Sequence, residues 1–141
     1  MILLDSDHLS VLLDERNAKC LQLYERLDTA EDEAALPIVA IEEQLRGWLA
    51  MIHRVNDPHR QIGPYLRLQK TFTLLRDWLI IEWNEESANH FSRLRTLRNR
   101  IGSKDLKIAC IALANDALLL SANLRDFQQV PGLRVEDWLD S

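Results

Sequence analysis

Cysteine, glycine and proline are all scarce in this chain, and each shortage narrows what it can be. Two cysteines stand among 141 residues. Cys20 and Cys110 lie far apart, without CxxC spacing, in helical-looking segments. They read as small buried hydrophobes rather than as a metal or redox pair. Four glycines and four prolines leave few places for long loops, so helix should dominate. A long apolar run is also missing. The opening MILLDSDHLS offers four consecutive apolar residues before an acid, too short for a signal peptide or a membrane span. A cytoplasmic protein is expected. Positive charge is not in excess either, because the formal net charge is −5. That argues against a general nucleic-acid coat held by phosphate neutralisation, while leaving a nuclease with an acidic pocket open.

What is present is ordinary for a globular protein: 47% hydrophobic and 28% charged residues. The length suits one domain over residues 1–141 with a core that needs no disulfide. No internal repeat, low-complexity stretch or linker divides it. Ile2-Leu3-Leu4 predicts a short buried strand that stops at Asp5. Helices follow at Leu9–Leu13 and about Ala18–Leu27, the second with Leu21, Tyr24 and Leu27 on one face. After a solvated acidic turn at Asp28–Glu33, Leu36–Ile41 predicts a second strand despite Pro37. Glu42 and Glu43 then open a long helix carrying Leu45, Trp48, Leu49 and Ile52. Asp57-Pro58 has the form of a new helix start, and Gly63-Pro64 should break or kink that segment. Leu79-Ile80-Ile81 is a third strand. Asn84 caps a helix with Glu85 and Glu86 in its first turn and Phe91, Leu94 and Leu97 as its stripe. Gly102-Ser103 caps the next, about Lys104 to Ala114. Ala117–Leu120 and Leu133–Val135 complete the strands, the last at an edge. Strands alternating with helices, and apolar throughout, predict a parallel sheet of four to five short strands covered on both faces, an α/β/α architecture.

In such a sheet, ligands bind beyond the carboxyl ends of the strands, where the first turns of the returning helices also lie. Asp5 directly follows the first strand. Glu43 falls in the first helical turn after the second. Asp105 sits in the first turn of the helix capped by Ser103, and Asp126 follows the fourth strand in a loop. Each alone has a structural explanation, as a cap or as a complement to the helix dipole. Together they put four acids from distant segments on one edge. Like charges in a shared site repel, and burial penalises the ionised forms further. A hard divalent cation such as Mg²⁺ or Mn²⁺ is the natural compensation, and such ions serve phosphoryl chemistry. No compact His/Cys set supports zinc instead.

The opening MILLDSDHLS, the segments IVAIEEQLRGWLA and RIGSKDLKIACIALA, and the closing LLLSANLRDFQQVPGLRVEDW resemble, in that order, the motifs of PIN-domain proteins. They are most similar to the ribonuclease toxins of type II toxin–antitoxin modules, the VapC family. The resemblance covers nearly the whole chain. It implies a three-layer PIN-like domain and a Mg²⁺- or Mn²⁺-dependent endoribonuclease, often directed at structured RNA such as tRNA. It also implies a cognate antitoxin protein and a homodimer as partners. By the same resemblance Asp5 matches the family's first acid, and Glu43 the glutamate four residues before a glycine, here Gly47. Asp105 matches the acid of the DLxIA motif and Asp126 that of the closing NxxDF motif. Asp5, Asp105 and Asp126 are the implied metal ligands, with Asp7, Ser121 and Asn123 in support. Asp7 fits the metal shell or a cap on the first helix. The chain departs from the pattern at Ala40, Ser103 and Ser121, where threonine is frequent, and at Ala122, where arginine is. Ala122 bears on substrate choice more than on chemistry.

Arg93, Arg95, Arg98, Arg100, Lys104 and Lys107 form a local basic cluster leading into Asp105. Arg98, Arg100, Lys104 and Lys107 are candidates for RNA phosphate contact, against the alternative of a solvated helix face. His8, His53, His59 and His90 share no metal spacing and read as surface or packing residues, His8 alone bordering an acid of the site. The tryptophans read as core or interface anchors, and the helices between residues 44 and 76 carry enough apolar surface to receive a protein partner. Asp5-Ser6-Asp7 also resembles the start of haloacid-dehalogenase-type phosphatases, but the paired acids and late lysine of that family are missing. A receiver domain needs a lysine after Ser121, and none follows. A PIN fold that binds without cleaving is the remaining alternative.

Overall fold

The strands are only three or four residues long, so helices and buried strand centres carry the packing. The computed structural model describes residues 1–97 and 100–139. In chain order the elements are β1 (Ile2–Leu4), α1 (Ser6–Leu13), α2 (Ala18–Thr29), β2 (Ala34–Pro37), α3 (Ile38–Arg54) and α4 (Ile62–Leu75). They continue with β3 (Leu79–Ile81), α5 (Glu85–Leu94), α6 (Ser103–Ala114), β4 (Leu118–Leu120), α7 (Leu124–Phe127) and β5 (Arg134–Glu136). All strand pairings are parallel, in the order β3-β2-β1-β4-β5. From β1 the chain steps outward through β2 to β3, then returns to β4 on the other side of β1 and steps out to β5. Right-handed crossovers therefore put α1–α4 on one face of the sheet and α5–α7 on the other. The packing agrees: α1 lies against α2 and α3, and α3 against α4, while α5 and α7 lie against α6. The expected three-layer arrangement with a five-stranded parallel sheet is what forms.

The core runs through the middle of this sheet. Leu3, Leu4, Leu36, Leu119 and Leu120 are fully buried, with Ile108 and Ile111 of α6 and Leu9 and Leu23 of α1 and α2. Both cysteines are buried, and burial pushes their thiols up, Cys110 to about 11. That fits inert apolar filling rather than reactivity.

Several local expectations give way to packing. Strand two is Ala34–Pro37, and Val39-Ala40-Ile41 belong to α3. A short β-branched apolar run is equally at home in a buried helix, and these three residues turn inward on α3. Glu43 consequently lies in the second turn of that helix, not the first. Asp57-Pro58 starts no helix, because the Asp57 carboxylate accepts from His59 N–H at 3.0 Å and closes a local turn. Gly63-Pro64 does not break α4, because both residues fall in its first turn, where a missing N–H costs nothing. The buried stripe of α2 is Cys20, Leu23 and Leu27, and Leu21 is 68% exposed. Leu97 lies past the end of α5 and is exposed. Ser103 is the first residue of α6 and Gly102 its cap, with no side-chain hydrogen bond. Finally, β3 is an edge strand whose Leu79 and Ile80 stay exposed, unlike the doubly covered centre.

This contrast sets a test. Leu119→Ala in the buried β4 should lower unfolding free energy by about 2–5 kcal/mol, while Leu79→Ala on the exposed edge should cost less than about 1 kcal/mol. Urea unfolding of both variants gives the comparison, and similar losses would contradict the assignment of the core.

Candidate active site

The two walks of the chain, toward β3 and toward β5, diverge between β1 and β4. This switch point is where an open parallel sheet leaves a crevice at its carboxyl edge. The ends of both strands are tied there: Asp5 N–H donates to Leu120 O at 3.0 Å, and Ser121 N–H to Glu136 O at 3.0 Å. Asp5 is the N-cap of α1, its Oδ1 accepting from His8 N–H at 2.9 Å. Asp7 is therefore not the cap. It is an acid of the first turn whose carboxyl is pushed up by burial and then by Asp5, with His8 opposing.

Glu43 reaches the same place from α3. Its Oε1 is buried and has no hydrogen-bond partner among the described residues. The helix that carries it is fastened to α1 by Gln44, whose amide nitrogen donates to Ser6 O at 2.9 Å and to Ser10 Oγ at 2.6 Å. Asp105 comes from the first turn of α6. Its carboxyl is pushed up to about 6, first by burial, then by Glu43 and Asp5 and more weakly by Asp7, against a lowering hydrogen bond from Asn123. Asp5, Glu43 and Asp105, three of the acids expected from the sequence, thus share one field, in which the first two raise the cost of ionising Asp105.

Asp126 joins through an amide. It lies in the short helix α7 rather than in a loop. Asn123 Nδ2 donates to Asp126 Oδ2 at 2.9 Å and lies 3.5 Å from Asp105 Oδ2. Asn123 is itself set by Ser121, whose buried hydroxyl accepts from Asn123 N–H at 3.0 Å. Ser121 and Asn123 are thereby a bracket holding two carboxylates side by side.

The basic residues separate. Arg100, together with Arg125 and Gln129, lines an open cleft of about 640 Å³ beside Asp126. Among the described residues neither guanidinium has an ion-pair partner. Lys107 points elsewhere, 5.8 and 5.6 Å from the centres of the Trp83 and Phe91 rings. Lys104 is half-buried in the first turn of α6, and Arg98 lies outside the described residues. The sequence reading missed Arg125 and Gln129, which only the fold of α7 brings to Arg100. It also set His8 aside, although that residue is fully buried with its Nδ1 3.2 Å from Asp5 Oδ1. The available signal was its place three residues after a capping aspartate, where side chains return to the cap.

Whether these residues suit a divalent ion can be judged from the donors. All are hard carboxylate oxygens, one is buried without a partner, and their mutual repulsion needs cationic relief. Among the described residues no three acidic, histidine or cysteine groups stand close enough to form a complete cage. Mg²⁺ does not require a complete protein cage, being usually held by one or two carboxylates and otherwise by water and substrate oxygen. Asp105 and Asp126, bracketed by Asn123, could supply such a pair of carboxylates, with Asp5 and Glu43 in the same field.

The same electrostatics make a stability prediction for metal-free protein. Folded Asp105 keeps its proton up to about pH 6, whereas the unfolded chain releases it near 3.8. Between those values the folded state binds the extra proton, so stability falls as pH rises. Because the group is half exposed, the effect is modest. Asp105→Asn should raise Tm at pH 7.5 by roughly 3 °C, a gain that shrinks as the pH falls through 6 toward 3.8. A lower Tm for the variant at pH 7.5 would contradict the repulsion.

No family model matches the chain, but individual proteins do. It is 30% identical over 94 residues to the tRNA(fMet)-specific endonuclease VapC of Salmonella typhimurium, covering 64% of this chain and 71% of that protein. Over 79 residues it is 29% identical to ribonuclease VapC2 of Haemophilus influenzae, covering 50% of this chain and 60% of the relative. The match thus spans about 60% or less of several of the curated relatives. Among solved structures, VapBC2 of Rickettsia felis bound to a promoter DNA fragment superposes with a TM-score of 0.77 at 22% identity, covering 98% of this chain and 99% of that one. FitAcB of Neisseria gonorrhoeae gives 0.74 at 17% identity, over 100% of both chains. The fold, the carboxylate edge at its switch point and the similarity to the Salmonella endonuclease agree: this chain belongs to the VapC family.

Proposed function

We propose that the chain is a Mg²⁺- or Mn²⁺-dependent endoribonuclease, the toxin of a toxin–antitoxin pair, acting on structured RNA such as tRNA. The observation that carries this reading is the mutually repelling set of Asp5, Glu43 and Asp105, with Asp105 pushed up to about 6 and a buried Glu43 oxygen left without a partner among the described residues. Such a set is costly to maintain unless a cation relieves it. A bound divalent ion supplies Lewis-acid charge for a phosphodiester and its leaving oxygen.

The chain's own residues do the rest. Asp5, Asp105 and Asp126 provide oxygen ligands from three segments, so the site forms only in the folded state. Asn123 keeps Asp105 and Asp126 together. We assign Glu43, one of whose oxygens is buried without a partner among the described residues, the role of accepting a proton from an attacking water. Arg100 and Arg125 flank the open cleft at Asp126 and are the groups best placed to hold a phosphate by charge-assisted hydrogen bonds. The exposed apolar residues of α3 and α4, among them Leu49, Met51, Ile62, Tyr65, Leu66 and Phe72, form a surface we assign to a protein partner, the antitoxin or a second copy. Among the described residues no helix is long and apolar enough to cross a membrane.

Incubating antitoxin-free protein with total cellular RNA, with Mg²⁺ or Mn²⁺ against EDTA, and mapping new 5′ ends tests the proposal. Discrete metal-dependent cuts are expected. In Asp105→Asn they should fall by more than about a hundredfold, beyond the loss typical of an outer-shell partner, while RNA binding persists. Cleavage undiminished in that variant would remove Asp105 from the site, and binding without cleavage by the parent would favour a non-cleaving module.

A further inference from the structure

His8 is the one histidine that is fully buried, and the polar groups around it are arranged in sequence. On one side its Nδ1 lies 3.2 Å from Asp5 Oδ1. On the other, Trp138 N–H donates to its Nε2 at 3.3 Å, with Asp137 Oδ1 3.8 Å from the same nitrogen. A backbone N–H can only donate, so Nε2 is the accepting nitrogen and the ring proton sits on Nδ1. That proton is directed at Asp5. The same Asp5 oxygen already accepts from His8 N–H at 2.9 Å. Both contacts from His8 therefore fall on Oδ1, and Oδ2 has no hydrogen-bond partner among the described residues.

The far end of the relay is also held. The Arg26 guanidinium of α2 lies 4.4 Å from the centre of the Trp138 ring, a distance suited to cation–π attraction. Asp137 Oδ1 accepts from Leu139 N–H at 2.8 Å, closing a turn after β5. A chain of contacts thus runs from α2 through the segment after β5, across the His8 ring, to a carboxylate at the switch point.

We propose that His8 is a positioning residue: it locks the Asp5 carboxylate through Oδ1 and leaves Oδ2 as the ligand oxygen. The inference rests on the carboxylate-site reading above. It follows the general rule that a ligand is oriented by the hydrogen bond its other atom makes. A plain core residue of similar size would fill the same space without fixing which oxygen is free.

Two amides divide the ring's functions. In His8→Asn the side-chain nitrogen falls near the Nδ1 position, keeping the donor to Asp5 and losing the acceptor for Trp138. In His8→Gln the amide falls near Nε2, keeping Trp138 and losing the donor to Asp5. His8→Leu removes both. Mn²⁺ affinity, measured by electron paramagnetic resonance of free Mn²⁺, and Tm are to be read on the full-length variants. Affinity in His8→Asn should stay within about threefold of the parent, although Tm falls. Affinity in His8→Gln and His8→Leu should weaken by about 10–100-fold. If His8→Leu is too unstable to assay, His8→Gln carries the comparison. Parental affinity in His8→Gln, or equal losses in the asparagine and glutamine variants, would overturn the positioning role while leaving the site intact. A parent that binds no Mn²⁺ would overturn the carboxylate site and this inference with it.

Discussion

Asp5, Glu43 and Asp105 repel one another across the carboxyl edge of the sheet, and much of the surrounding structure exists to hold them there. Burial and the two neighbouring acids push the Asp105 carboxyl up to about 6. A chain free to relax would separate these groups. It does not, because each is anchored by a different rigid element. Asp5 caps α1 at the end of β1, Glu43 sits on α3, which Gln44 fastens to α1, and Asp105 lies in the first turn of α6. The strain of like charges is thus carried by secondary structure, as expected where a site is organised for a cation.

Topology explains why these elements meet. With the strand order β3-β2-β1-β4-β5, the chain leaves the sheet centre in opposite directions from β1 and β4. The helices that follow cover opposite faces, and a crevice opens between their first turns. The bracket formed by Ser121 and Asn123 lies on the β4 side of that crevice and His8 on the β1 side. Each orders carboxylates of its own half, and Asn123 also spans to Asp105.

How much of this is legible in the sequence follows from the range of each interaction. The strands at Ile2–Leu4, Leu79–Ile81 and Leu118–Leu120 are short apolar runs that end at acids or turn residues, and they form nearly where pattern places them. The candidate acids stand out in the sequence because Asp5 follows a strand and Asp105 falls at a helix start, positions that a parallel sheet gathers on one edge, whereas Glu43 lies a turn deeper in α3 than pattern suggests. The join between β2 and α3 was not legible, because Val39-Ala40-Ile41 is apolar and β-branched in either state and only packing decides. The cap at Asn84 is a local event within three residues and was readable. The contact of His8 with Trp138 spans 130 positions, so no local pattern could announce it. The basic cluster looked continuous along the chain, yet folding sends Arg100 to Asp126 and Lys107 to the Trp83 and Phe91 rings.

The central claim is that a divalent cation relieves the repulsion centred on Asp105, so cation binding must displace its proton. Calorimetric titration with Mn²⁺ at pH 6 and pH 8, in two buffers of different ionisation enthalpy, counts the protons released. With the Asp105 carboxyl at about 6, binding at pH 6 should release about half a proton and binding at pH 8 almost none. Equal release at the two pH values, or no binding at either, would contradict the account.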